Sequence, residues 1–138
     1  MTSLFPATFD ASFRTQENLS PPSGLCFTHE GNILLADDFN HRIQIYDPQF
    51  NLITSFGEKG KKQGQLQYPK GIAVDKEGNI FVADSWNHRI QKFDSQGKTL
   101  LSFGSCGEGK GELNEPYDIL IDSSGTLIVV ERYNHRIQ

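Results

Sequence analysis

The chain has 138 residues, enough for one ordinary domain with a core. Hydrophobic residues make up 36 % of it, with 13 Gly and 6 Pro, a composition that suits a loop-rich β protein better than a helical bundle. Seventeen acidic against 13 basic residues give a net charge of −4, which excludes a global pull toward nucleic acid.

In chain order, the N-terminus "MTSLFPATFDASFR" lacks the basic and apolar blocks of a signal peptide. The absence of a secretion signal makes Asn18-Leu19-Ser20 a coincidental glycosylation sequon. The stretch "ATFDASF" (7–13) is expected to be a strand completing a neighbouring blade, so that 1–21 forms an N-terminal strand and link. Residues 22–68, 69–115 and 116–138 then read as three repeats, the last truncated. His41, His88 and His135 are spaced by 47, as are Pro22, Pro69 and Pro116, and 21 of 47 positions are identical between the first two repeats. In the middle copy, "GIAVD" (71–75), "IFVAD" (80–84), "RIQKF" (89–93) and "TLLSFG" (99–104) are short β-rich runs separated by turn signals, which predicts four antiparallel strands. No apolar run approaches the ~20 residues of a membrane span. Cys26 and Cys106 have neither CxxC spacing nor zinc-type partners and are expected to be unpaired, mostly buried thiols. That usage fits a reducing, cytoplasmic setting.

Four strands in a period of this length describe one blade of a β-propeller. The recurring "NHRIQ", preceded by a carboxylate and followed by "SFG" and a Gly-rich link to the next Pro, resembles the NHL repeat. Arg42, Arg89 and Arg136 stand at the third motif position, and Tyr117-Asp118 replace the residues that elsewhere end in Gly24 and Gly71. The resemblance implies an all-β, six-bladed propeller of which this chain supplies about three blades. Either the sequence is part of a longer propeller, or two chains join head to tail in a ring of six blades.

The repetition of Asn-His-Arg argues for scaffold. Asp37–Arg42, Asp84–Arg89 and Glu131–Arg136 each bracket a tight loop and are expected to pair across two strands. Asn40, Asn87 and Asn134 suit the left-handed position of that turn, and His41, His88 and His135 are expected to pack or hydrogen-bond between blades. Blades ~10 Å apart keep the histidines from sharing a metal, which needs donors at ~2 Å. His29 lies in a turn without an obvious partner. Function is expected on the face that carries the loops between the second and third strands of each blade and the inter-blade links 57–68 and 104–115. There Phe39, Trp86 and Tyr133 occur once per repeat, flanked by Asp38, Ser85 and Arg132, and the first link adds Lys59, Lys61, Lys62 and, beyond it, Lys70.

The favoured function is a non-enzymatic module that binds a protein partner, with no metal or cofactor and no membrane. A second reading rests on the family resemblance: the propellers of tripartite-motif proteins imply single-stranded RNA binding or substrate recognition for a ubiquitin ligase. A third, also from the resemblance, is a fragment of a propeller lyase or lactonase-like hydrolase. For that reading the innermost strands offer Asp75, Asp118 and Asp122 without a histidine.

Overall fold

The computed structural model describes residues 19–138. The strand expected over 7–13, and with it most of the unit expected over 1–21, lies outside the described residues. Among the described residues the structure is all-β, with two four-stranded sheets and one three-stranded sheet, each keeping its strands in chain order. The first comprises β1 (Gly24–Phe27), β2 (Ile33–Asp37), β3 (Arg42–Tyr46) and β4 (Leu52–Phe56). The second comprises β5 (Pro69–Val74), β6 (Ile80–Asp84), β7 (Arg89–Phe93) and β8 (Thr99–Phe103). The third comprises β9 (Pro116–Ile121), β10 (Leu127–Glu131) and the two-residue β11 (Arg136–Ile137). All pairings within these sheets are antiparallel, and the strands predicted for the middle copy match those observed to within two residues.

Turn chemistry fixes the far end of each blade. The Asp75 carboxylate accepts the N–H groups of Glu77 and Asn79 at 3.1 and 2.8 Å, and Gly78 takes φ +85°, where a side chain would be strained. Asp122 closes the equivalent turn of the third blade. Of the three aspartates offered for the lyase or hydrolase reading, Asp75 and Asp122 are therefore turn residues, while Asp118 is exposed on β9 and accepts the N–H of Ile119. His29 does have a partner: its Nε2 lies 3.1 Å from the carbonyl oxygen of Asp75 in the next blade.

The period-2 alternation of each strand serves two cores at once. On β6, Ile80 and Val82 face the first blade, where they join Leu34, Ala36, Ile43, Ile45, Leu66, Ile72 and Phe93. The intervening Phe81 and Ala83 face the third blade with Ala73, Ile90, Leu113, Ile119 and Val129. Each large aliphatic side chain so buried is worth ~1.5–3 kcal/mol, which makes the stacking of blades the principal source of stability. Innermost strands pack directly on one another, β1 on β5 and β5 on β9, while the outer strands splay apart. The approach is close enough to demand glycine: a Cβ on Gly24 would lie 1.9 Å from the Lys70 carbonyl oxygen, and one on Gly71 would lie 2.7 Å from Asp118 Cα. Both cysteines are unpaired, but Cys26 is only partly buried and Cys106 is exposed, against the expectation of burial. Among the described residues no helix is long and apolar enough to cross a membrane.

Candidate functional site

One face is built by the β2–β3-type loops and the links between blades, and the repeated motif constructs it. In the middle blade the Asp84 side chain is wholly buried. It accepts the Gln67 N–H at 2.7 Å, both contacts of Asn87 Nδ2 at 3.1 and 2.9 Å, Arg89 Nε at 2.6 Å and Gln91 Nε2 at 3.1 Å. The rest of the Arg89 guanidinium donates to the carbonyls of Lys61, Lys62 and Gln65 at 3.0, 2.9 and 2.8 Å, and Asn87 also donates to the Gly60 carbonyl at 2.8 Å. Asp, Asn and Arg thus tie the link to the hairpin. Glu131, Asn134 and Arg136 repeat this on the second link, through the carbonyls of Gly107, Glu108, Gly109 and Glu112. In the first blade Asp37 accepts from the Ser20 N–H, Asn40 and Arg42 Nε, at 3.0, 3.0 and 2.8 Å.

Burial pushes the Asp84 carboxyl above its ordinary value despite the hydrogen bonds from Asn87, Gln67 and Arg89. Burial acts the same way on Glu131, but the bonds from Arg136, Gln138, Asn114 and Asn134 outweigh it and hold that carboxyl below its ordinary value.

Histidine, not asparagine, takes the left-handed backbone: His41, His88 and His135 have φ of 56°, 53° and 50°. Asn40 and Asn87 sit inside the preceding 3-10 turn, so the role expected for asparagine is corrected to that of a side-chain clamp. The turn aims each ring at the next blade. His41 Nδ1 accepts the Tyr68 N–H at 3.1 Å, and His88 Nδ1 accepts the Glu115 N–H at 3.2 Å. In each contact Nδ1 is the accepting nitrogen, which leaves Nε2 as the ring's donor. The expectation that histidine hydrogen-bonds between blades holds at these two junctions, and His135 is exposed at the outer side of the third blade.

Phe39, Trp86 and Tyr133 stand on this face at 58 %, 53 % and 52 % exposure. Two of them are joined by a residue that the repeat does not announce. Tyr68, at the end of the first link, lies edge-on to Phe39 with centroids 5.5 Å apart and 4.4 Å from Trp86, and His41 packs on its other flank at 4.6 Å. Phe39, Tyr68 and Trp86 form a row crossing the junction of the first two blades. At the next junction Glu115 replaces Tyr68 and pairs with Arg132 at 3.8 Å, and Arg132 lies 5.3 Å from the Tyr133 ring. Asp38 and Ser85, expected at the surface, are buried: Asp38 pairs with Lys70, and the Ser85 hydroxyl donates to the Pro116 carbonyl at 2.9 Å. Lys70 is therefore committed to Asp38, and its ammonium lies 5.9 Å from the Tyr117 ring. Lys59, Lys61 and Lys62 are exposed on the link, as expected. Among the described residues no cluster of three or more His, Cys, Asp or Glu side chains is arranged to hold a metal ion.

Residues 66–93 match the NHL repeat. The fold is similar to part of a streptogramin B lyase, with a TM-score of 0.71 at 18 % identity over 91 % of this chain and 39 % of that one. A catalytically inactive virginiamycin B lyase from Staphylococcus aureus, determined with quinupristin, is similar with a TM-score of 0.71 at 17 % identity over 94 % of this chain and 42 % of that one. A protein of unknown function from Bacteroides thetaiotaomicron matches at 0.70 and 18 % identity, over 84 % of this chain and 34 % of its own. The chain spans about two fifths of the length of such structures. No curated protein sequence matches it.

Proposed function

Taking as premise a partial propeller that carries the NHL repeat, we propose that this chain is a non-enzymatic interaction module binding a protein partner through the face that bears the links and aromatic loops. The observation that carries the reading is the row Phe39–Tyr68–Trp86. Isolated exposed rings are ordinary, but contiguous ones on a fastened backbone are typical anchors of an interface, and they lose little freedom on binding. Backbone hydrogen bonds on both sides hold the row: Trp86 N–H donates to the Gln67 carbonyl and Tyr68 N–H to His41. The motif's carboxylates and two of its histidines, His41 and His88, are engaged in scaffold bonds, which supports binding over proton-transfer chemistry; the lyases named above share the fold at low identity. A cytoplasmic setting is part of the proposal, supported by the unpaired Cys26 and Cys106.

The test is affinity capture from cells with the wild-type chain and with Phe39→Ala/Trp86→Ala, after thermal melts establish equal stability. Loss of a reproducible partner with the variant is expected; equal recovery refutes the reading. RNA binding is the second reading, favoured by exposed Lys59, Lys61 and Lys62 beside the rings. It predicts binding of short single strands that weakens steeply with salt and is lost when these lysines are replaced.

A further inference from the structure

The two links occupy equivalent places in the frame but carry opposite charge. The first, 57–68, holds Lys59, Lys61 and Lys62 against Glu58; the second, 104–115, holds Glu108, Glu112 and Glu115 against Lys110. Both follow the same backbone path, since Arg89 and Arg136 seize equivalent carbonyls in each. The lysine side chains of the first link are exposed, and only the carbonyls of Lys61 and Lys62 serve the clamp. The face therefore changes sign from the second blade to the third, with the aromatic row entering the basic half and ending at Trp86.

From this we infer that the occupant of the face is an extended, bipolar peptide segment: acidic residues over 57–68, a short apolar stretch on Phe39, Tyr68 and Trp86, and basic residues toward Glu108 and Glu112. The inference rests on the protein-partner reading and specifies its chemistry. A uniform polyanion such as RNA gains at the first link and is repelled at the second, whereas a bipolar chain gains at both. Ring spacings of 5.5 and 4.4 Å match a few residues of extended chain at ~3.3 Å each. Proline-rich apolar residues suit the rings, because their extended form is already ordered and stacks on aromatic side chains.

Trp86 is the sole tryptophan of the chain and lies in the row, so its emission reports occupancy directly. Four probes are titrated into the wild-type protein. Three are synthetic peptides with a Pro-Pro-Leu-Pro centre, flanked by glutamates on one side and lysines on the other, by glutamates on both, or by lysines on both. The fourth is oligouridylate. The bipolar peptide is expected to bind roughly five- to tenfold more tightly than either single-sign peptide at low ionic strength, with the difference shrinking in high salt. The triple variant Lys59→Glu/Lys61→Glu/Lys62→Glu, which leaves every clamp carbonyl in place, is expected to transfer the preference to the lysine-flanked peptide at unchanged melting temperature. Equal or tighter binding of the glutamate-flanked peptide or of oligouridylate overturns the inference. Indifference among the peptides removes the charge polarity and leaves the aromatic face standing. No emission change with any peptide, in a protein that still captures its partner through the rings, removes the extended-peptide occupant.

Discussion

Replacing Arg89 by alanine tests the claim that the repeated motif is a fastener. The side chain is 13 % exposed and its Nε lies 2.6 Å from a carboxylate that is entirely buried. Removing one partner of a buried pair costs ~3–5 kcal/mol, because the remaining charge stays desolvated. Asp84 keeps its bonds from Gln67, Asn87 and Gln91 in the variant, which points to the lower end of that range. The carbonyls of Lys61 and Lys62 also lose this donor but reach water once the guanidinium is gone, and that of Gln65 keeps its bond from Gln91 Nε2 at 2.6 Å. A loss of ~3 kcal/mol lowers the melting temperature of a chain this size by about 10 °C. Hydrogen exchange should localise the effect to the amides of 57–68. Arg132→Ala is the control: its pair with Glu115 spans 3.8 Å at 58 % exposure and is worth less than ~1 kcal/mol. A drop below about 2 °C for Arg89→Ala, or equal effects of the two substitutions, refutes the fastener.

Three further outcomes are expected. Burial, then the positive charge of Lys59, holds His41 below its ordinary value against Asp38 and Asp84, so the unfolded chain binds its proton more readily. Stability should therefore fall as pH drops below about 6.5, and thermal melts of His41→Gln should show a weaker dependence in that window. Gly24→Ala forces a methyl group against the Lys70 carbonyl and should lower the melting temperature by several degrees, whereas Gly78→Ala, with open space around it, should act only through its positive φ. A head-to-tail ring of two copies should not form, as measured by light scattering. It would set His135 against Pro21, the register equivalent of Tyr68 and Glu115, and proline has no N–H to donate and cannot adopt their φ of about 50°. A stable dimer would refute that reasoning.

The period, the four-strand unit, the Asp–Arg pairing and the shared face of loops and links were legible because each recurs at a fixed interval. What escaped has a physical reason in each case. Asparagine and histidine are both enriched at left-handed positions, so the adjacent Asn-His offered two candidates for the turn, and the histidine's acceptor role depends on a contact 27 residues away. Tyr68 joins the aromatic row in one copy only, its counterpart being Glu115, so repetition could not reveal it. Variation among Asp38, Ser85 and Arg132 resembled surface variation. Two of the three instead reach the next blade, and each is fitted to the neighbour it meets, Lys70 or the Pro116 carbonyl. Asp118 stands where the other copies need glycine; this is tolerated because no further described strand packs against β9 on that side.

The clamps of Asn87 and Arg89 close on carbonyl oxygens at 60, 61, 62 and 65, and those of Asn134 and Arg136 on their counterparts. A carbonyl is common to every amino acid, so the grip is indifferent to what the link displays. Length, glycine placement and the buried Leu66 and Leu113 are constrained, and the identity of the exposed side chains is left free. Such a loop can be rewritten, by drift or by an engineer, without renegotiating the fold. New specificities on this frame should therefore come most readily from the composition of 57–68 and 104–115, with insertions tolerated less well than substitutions.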